Sequence, residues 1–419
     1  MGLFIFLYVF FIFTNYLQQI YEGINFFDEI LTLLGLAICF LYSNKKKLVE
    51  VNTKYAIRCI IGVLIIGGVA TICFQIQPNF AGIWRDALAI SKFPICYYAY
   101  SIYSKRVNLR RLQLRLLPIS KICIIITFIL GCLNLVYRIP FLYEGERYGL
   151  PLFNMGFSHA TFLVAVVFML IATLISSGFR KNIVYILMGC GCILFTLRSK
   201  PMLPLIFLAV VWMLRSKKNI KLTKGKIVLY ALLIIFLTYY AAYSQITTYI
   251  GYGEEAARGA CYFYGADIAN NFFPLGSGFC TFSSSLSGRF YSPLYYYYDL
   301  EWMQGLTPDD YSYAADTFWP NIYSQYGWVG FGLYLLMLFY ITLSVHRRFK
   351  PLSDQWIAGM LLLVYCAAAA FAEAIYTNDT SVIFAITLTC FIGENYENST
   401  TVARTSLWRS RKVRSGSCK

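Results

Sequence analysis

Twelve apolar runs dominate the chain, near residues 3–17, 28–43, 56–76, 87–103, 116–137, 156–177, 182–197, 201–214, 226–248, 318–345, 355–372 and 380–393. Most are long enough, as helices, to cross a hydrocarbon core about 30 Å thick. No soluble core absorbs so many of them: the 419 residues are 58% hydrophobic and only 13% charged, far from the balance of a water-soluble domain. The expectation is an all-α polytopic membrane protein with about twelve transmembrane helices, forming a single membrane domain over residues 1–419. The first run lacks the basic n-region and small-residue cleavage site of a secretory signal, so it is read as a retained helix.

Basic residues test that arrangement, because Lys and Arg collect in cytoplasmic loops. With both termini inside, the even-numbered boundaries hold most of the 36 Lys and Arg, from Lys45, Lys46 and Lys47 to Arg409, Arg411 and Lys412. Only Arg85, Arg138, Arg147, Arg198, Lys200, Arg258 and Arg289 fall on the opposite side, while Lys92 and Lys121 lie within helices. The net charge of +16 then reflects topology, and no nucleic-acid partner is needed to explain it. Arginines on the disfavoured side stand out as ligand contacts or loop ion pairs.

Residues 249–317 form the one large extramembrane piece, a loop between the ninth and tenth runs. It is too long for a simple connection and too rich in aromatics for disorder, so a folded cap on the outer face is expected. Within it, 256–272 has the spacing of a short amphipathic surface helix. Pro274 ends that helix, and Gly276 and Gly278 permit positive φ in a tight turn. A GxG pair that cradles phosphate in a nucleotide loop needs a strand before it and a helix after it. Neither is expected here, which leaves the two glycines a structural turn.

With its surroundings, this turn carries a resemblance. RGACYFYGADIANNFFPLGSGFCTF (258–282) resembles the Arg, helix, Pro-Leu-Gly-x-Gly-x-x-x-Phe block of the O-antigen polymerase and O-antigen ligase superfamily. DTFWPNIYSQYGWVG (316–330) resembles the next block, where His or Asp precedes an aromatic run ending in Gly-x-x-Gly. RYGLPLFNMGFSHATF (147–162) and LFTLRSKPML (194–203) match upstream blocks in family order.

The resemblance implies a membrane-embedded C-type glycosyltransferase on the outer face of a bacterial inner membrane, with cytoplasmic termini. It implies a polysaccharide polymerase for O-antigen, capsule or exopolysaccharide. Such an enzyme transfers a growing glycan from undecaprenyl pyrophosphate to the non-reducing end of another lipid-linked repeat unit, with a chain-length regulator and a flippase as partners. Asp316 stands where ligases commonly carry His, which favours polymerase over ligase. The alternatives are ligase-type transfer of finished glycan to a lipid or protein acceptor and, in another class, a flippase or transporter. Transporters tend to show repeated halves and short loops, neither of which is seen here.

The residue chemistry fits group transfer from a pyrophosphate. Charge building on that leaving group is stabilised by preorganised guanidinium groups, whose fork binds two oxygens at once. Arg147, Arg198 and Arg258 are the pyrophosphate candidates, each with a bland alternative as a helix-end anchor or loop ion pair. Lys200 and Arg289 are further candidates, the latter in a stretch that reads as flexible. Asp316 is the expected general base for the acceptor hydroxyl, its bland alternative being the N-cap of the tenth helix. Asp309 and Asp310 follow Pro308 and read as either sugar contacts or a solvated turn. His159 reads as an acceptor-orienting or phosphate-binding group, or as a helix-end histidine. Lys92 either snorkels outward or lines the cavity. Trp319 and Tyr323 are candidate acceptor or lipid contacts, and YYYY at 295–298 fits an interfacial belt. Inversion at the anomeric carbon is expected of a direct displacement. No Cys or His spacing suggests a metal and no cofactor is implied; Cys261 and Cys280 read as either a pair or two free thiols.

Overall fold

The structure is a computed structural model that describes residues 1–42, 49–216 and 253–392. The ninth apolar run and the basic stretches at 45–47, 217–226 and 404–419 lie outside the described residues. Among those residues are fourteen α-helices. The first eight are α1 (Gly2–Ile20), α2 (Phe27–Leu41), α3 (Val51–Phe74), α4 (Phe80–Tyr103), α5 (Leu109–Tyr137), α6 (Ala160–Ser176), α7 (Ile183–Phe195) and α8 (Met202–Ser216). The remaining six are α9 (Ala257–Asn271), α10 (Ser285–Arg289), α11 (Pro293–Tyr297), α12 (Trp319–Arg348), α13 (Asp354–Ala369) and α14 (Asp379–Ile386).

Five spans are long and apolar enough to cross a membrane: Gly2–Ile20, Gly23–Leu41, Val51–Phe74, Leu109–Tyr137 and Trp319–Arg348. The expected twelve full-length spans are not reached among the described residues. α4 is 24 residues long but is interrupted by Arg85, Asp86 and Lys92. α6, α7, α8, α13 and α14 are shorter apolar helices, the last continued by a π-helical turn at Thr387–Phe391.

α6 explains where the centre of the bundle lies. Every residue from Leu163 to Ser176 is buried, as expected of a helix that is hydrophobic on all sides. It packs against α5, α7 and α13, while α3 runs along α12 and α2 along α4. Tyr8 on α1, fully buried, bonds Ser120 on α5 at 2.7 Å and Thr173 on α6 at 3.1 Å, so the apolar interior is also pinned by hydroxyls.

The all-α expectation needs one correction. Tyr143–Arg147 and Leu150–Phe153 pair as an antiparallel hairpin before α6. Its two connecting residues, Tyr148 and Gly149, have φ of 54° and 74°, the left-handed pair that a tight hairpin turn requires. Arg147, the last residue of the first strand, is thereby held at the hairpin's end.

The piece that follows residue 252 has a core of its own, built by Ala260, Cys261 and Ile268 of α9 with Phe282, Leu294, Tyr295, Leu300, Leu306 and Ala314. YYYY at 295–298 is accordingly not a uniform belt. Tyr295 is fully buried and stacks on Phe282 and Tyr291, Tyr298 donates to Asp267 at 2.7 Å, and only Tyr296 and Tyr297 are exposed.

The glycine turn locks this cap to α12. Gly276 and Gly278 have φ of 76° and 95°, where a side chain is strained. Ser277 N–H donates to Ser324 O and Gly278 N–H to Gln325 O, both at 2.9 Å. Those carbonyls are free for the turn because α12 breaks at Gly327, with φ 63° and ψ −179°. A Cβ on Gly276 would meet the Gly327 nitrogen, and one on Gly327 would meet the Pro274 carbonyl.

Candidate functional site

A cavity of about 980 Å³ opens at the end of the bundle beneath the cap. Arg147, Arg198, Lys200, Arg258 and Arg289 all line it, with Arg85, His159 and Asp316. The cations arrive from separate elements: the strand end at Arg147, the turn between α7 and α8, the first turn of α9, and the end of α10. Three segments that the sequence picked out independently therefore meet on one space.

Most of these cations are paired, which neighbouring sequence positions did not reveal. Arg258 donates from Nε and Nη2 to the same Asp316 oxygen, at 3.0 and 2.6 Å. Arg198 Nη2 reaches Glu144 at 3.1 Å and Lys200 reaches Glu373 at 3.4 Å. Arg138, not Arg147, takes Glu146, at 2.7 Å. Arg147 instead donates to the Leu197 carbonyl at 3.1 Å, tying the hairpin to the turn that carries Arg198. Arg289 is exposed and, among the described residues, has no ion-pair partner. Its setting is not the flexible stretch expected: Ser284 and Ser287 close a reciprocal capping box at the start of α10, which fixes the short helix that presents it.

Asp316 is not the N-cap of α12. Phe318 occupies that position, without a side-chain cap, and Asp316 faces the cavity and Arg258 instead. Lys200 sits within the influence of both, and its pKa is lowered by burial more than Glu373 raises it; the ammonium is held at a cost that a second anion would relieve.

His159 Nε2 lies 3.0 Å from Arg198 Nη2. Nδ1 accepts from the Thr161 N–H at 3.3 Å and lies 2.8 Å from Thr161 Oγ1. Burial first, and Arg198 second, lower its pKa from the ordinary histidine value. His159 thus touches Arg198 and also serves as the N-cap residue of α6.

Other expected contacts lie elsewhere. Trp319 packs on Phe318, Phe331 and Phe371. Tyr323 is buried and donates to the Tyr262 carbonyl at 2.8 Å; neither borders the cavity. Asp309 and Asp310 are exposed in the turn closed by Thr307 N–H to Asp310 O at 2.9 Å, and they also lie away from the cavity. Gly276 and Gly278 hold the scaffold and do not line it. Cys261 and Cys280 are separate free thiols, both buried.

Lys92, read as either snorkelling outward or lining the cavity, lines it, together with acids that were not among the sequence candidates. Asp28, Glu29, Asp86, Glu373 and Asp379 also line it, and Lys92 joins them by ion pairs to Asp28 at 2.5 Å and Glu29 at 2.7 Å. Asp28 and Glu29 open an apolar run and read there as helix-start residues; the signal available was a pair of acids facing a lysine embedded in another helix. Asp86 accepts from Cys280 N–H at 3.0 Å and fastens the glycine turn to α4. No group of His, Cys, Asp and Glu among the described residues has the arrangement of a metal site. No family model, curated protein or solved structure matches the chain.

Proposed function

We propose that the chain is a polysaccharide polymerase. It would transfer a growing glycan from undecaprenyl pyrophosphate to the non-reducing end of another lipid-linked repeat unit, at the outer face of a bacterial inner membrane. The observation that carries this is the convergence of Arg147, Arg198, Lys200, Arg258 and Arg289 on one cavity that also holds Asp316.

In this reaction the acceptor hydroxyl oxygen attacks the anomeric carbon and the bond from that carbon to the pyrophosphate oxygen breaks. The bonding electrons leave with the pyrophosphate and the anomeric centre inverts. Guanidinium groups lower the barrier by meeting the charge that grows on the leaving oxygens. Pyrophosphate competes with Asp316 for Arg258. As it takes over the guanidinium fork, the carboxylate is released to accept the hydroxyl proton. Donor binding thereby readies the base.

The test is one gel of lipid-linked and surface glycan from a deletion strain carrying either the wild-type gene or Arg258→Ala. The expected result is loss of polymer, with single repeat units left on the carrier or its final acceptor. Full-length chains from normal amounts of the Arg258→Ala protein overturn the assignment. Long polymer stranded on undecaprenyl pyrophosphate indicates a ligase instead, and repeat units held at the cytoplasmic face indicate a flippase.

A further inference from the structure

Two cations of the cavity stand apart from the rest. Arg198, Lys200 and Arg258 are held by Glu144, Glu373 and Asp316. Among the described residues neither Arg85 nor Arg289 has an ion-pair partner. The Arg85 guanidinium lies 5.8 Å from the centre of the Phe26 ring, and Phe26 borders the cavity too. Arg147, Arg198, Lys200 and Arg258 are half-buried, whereas Arg85 and Arg289 are exposed, which puts this pair at the rim. Water satisfies an exposed guanidinium, so exposure by itself marks no site. Placement does more. α10, which ends in Arg289, packs on α4, which carries Arg85. Gly82 of α4 lies so close to the ring of Phe290 that a Cβ there would come within 2.7 Å of it. One turn on, Asp86 accepts the Cys280 N–H at 3.0 Å. Arg85 thus stands between two fastenings of α4 to the cap, and Arg289 is next to one of them. The carboxylate nearest Arg85 in sequence, Asp86, is buried and taken up by that backbone amide. Rigid elements therefore bring two like charges to one wall, and an anion shared between them relieves their repulsion.

We infer that Arg85 and Arg289 form a second phosphate subsite, at the rim of the cavity, and that it takes the carrier pyrophosphate of the acceptor. This rests on the polymerase function proposed above, in which both partners are lipid-linked and each brings a pyrophosphate of its own. The donor's pyrophosphate is the leaving group and has Arg147, Arg198 and Arg258. The acceptor reacts at its non-reducing end, a repeat unit away from its carrier, and keeps its pyrophosphate throughout. One anion site cannot serve both. The two sets of cations stand on different elements: the hairpin, the α7–α8 turn and α9 for the first, α4 and α10 for the second. Within the first set the groups are close together, since Lys200 feels the charge of Arg258, and His159 that of Arg198 and Lys200. The surroundings of Arg85 favour a phosphate on a lipid over a sugar carboxylate. Trp84 beside it and Phe80 one turn earlier are exposed, and in a membrane protein such a tryptophan lies at headgroup level. A phosphate bound there leaves its prenyl chain in the lipid, and guanidinium forks take phosphate oxygens two at a time.

The test is native mass spectrometry of the full-length protein in detergent, titrated with undecaprenyl pyrophosphate. Wild type is expected to take up a second molecule after the first. Arg85→Gln and Arg289→Gln, made separately, are each expected to weaken the second uptake about tenfold and to keep the first. Phosphatidylglycerol at the same concentration is expected to leave the second position to undecaprenyl pyrophosphate. A single bound molecule in wild type overturns the inference, as does an unchanged second uptake in either variant. Equal occupancy by phosphatidylglycerol also overturns it and marks a contact with bulk lipid, and displacement by glucuronate overturns it in favour of an acidic sugar. Both side chains are exposed, and one variant decides the matter if the other does not accumulate. Elongation of lipid-linked repeat units extracted from the deletion strain separates the two ways of failing. If wild type does not elongate them, the polymerase function fails and the acceptor role fails with it. If wild type elongates them but binds no second molecule, or a variant binds it as wild type does, only the inference fails.

Discussion

Arg258 and Asp316 hold each other across the cavity, two guanidinium nitrogens on a single carboxylate oxygen at 3.0 and 2.6 Å. The geometry uses the fork of arginine, which lysine lacks. Arg258→Lys keeps the charge and loses one of two charge-assisted bonds, worth about 2–3 kcal/mol. Under the proposed polymerase function, the initial rate on extracted lipid-linked units is expected to fall about 30- to 150-fold. Asp316→Asn preserves size but accepts no proton. It should lower kcat by about 100-fold or more without raising KM, because Arg258 is left free for the donor.

Lys92 is 4% exposed and is, among the described residues, the one cation set between Asp28 and Glu29. Removing one partner of a buried ion pair strands the other, at a cost of about 3–5 kcal/mol. Lys92→Met is expected to lower the thermal midpoint in detergent sharply. Adding Asp28→Asn to Lys92→Met should restore part of the loss, since the more buried of the two carboxyl groups left without Lys92 is neutralised with it.

Acid should weaken the protein through His159. Its folded pKa lies below the ordinary value of about 6.5, because burial and Arg198 oppose the charged ring. The unfolded chain therefore binds a proton first as pH falls. Stability from this group is complete above about pH 6.5 and declines as pH drops from there toward the folded value. Thermal midpoints measured from pH 7.5 down to pH 5 should fall more steeply for wild type than for His159→Gln.

The thiols of the cap should be slow. Burial pushes the Cys261 thiol up to about 12, so little thiolate exists near neutral pH. A maleimide reagent at pH 7.5 is expected to leave Cys261 unmodified in the folded protein and to label it after denaturation, as read by mass spectrometry. Migration on gels should be the same with and without reductant, since neither Cys261 nor Cys280 is paired.

Substitution of Gly276 tests the turn. With φ of 76° and the Gly327 backbone against it, Gly276→Ala combines left-handed strain of about 1–2 kcal/mol with a backbone collision. The expected outcome is a lower thermal midpoint and less polymer together, whereas Asp316→Asn loses polymer alone.

Hydropathy made the helices legible, and two-residue glycine spacing made the turn at Gly276 and Gly278 legible, because both are local properties of the chain. The partners of the cations were not. Glu144 meets Arg198 across 54 positions and Glu373 meets Lys200 across 173, separations that only the packed bundle closes. Arg289 looked flexible because Ser and Gly suggest a loop, yet serines spaced by three also close a capping box. Asp28 and Glu29 were absorbed into an apolar run, and their relation to Lys92 on another helix has no trace in either segment alone. Trp319 and Tyr323 show the converse: aromatic residues close in sequence to a cavity-lining acid can be taken up by packing and by a backbone hydrogen bond.

The break at Gly327 divides α12 into two parts with different attachments. Residues 319–326 are tied by Ser324 and Gln325 to the glycine turn and belong mechanically with the cap. The stretch 328–348 that follows rises about 31 Å at about 1.5 Å per residue, close to the thickness of a hydrocarbon core. The break at Gly327 therefore separates the part of α12 held by the glycine turn from a part long enough to cross a membrane, and a residue inserted after it would lengthen the second part while leaving the cap's hold on Ser324 and Gln325 intact.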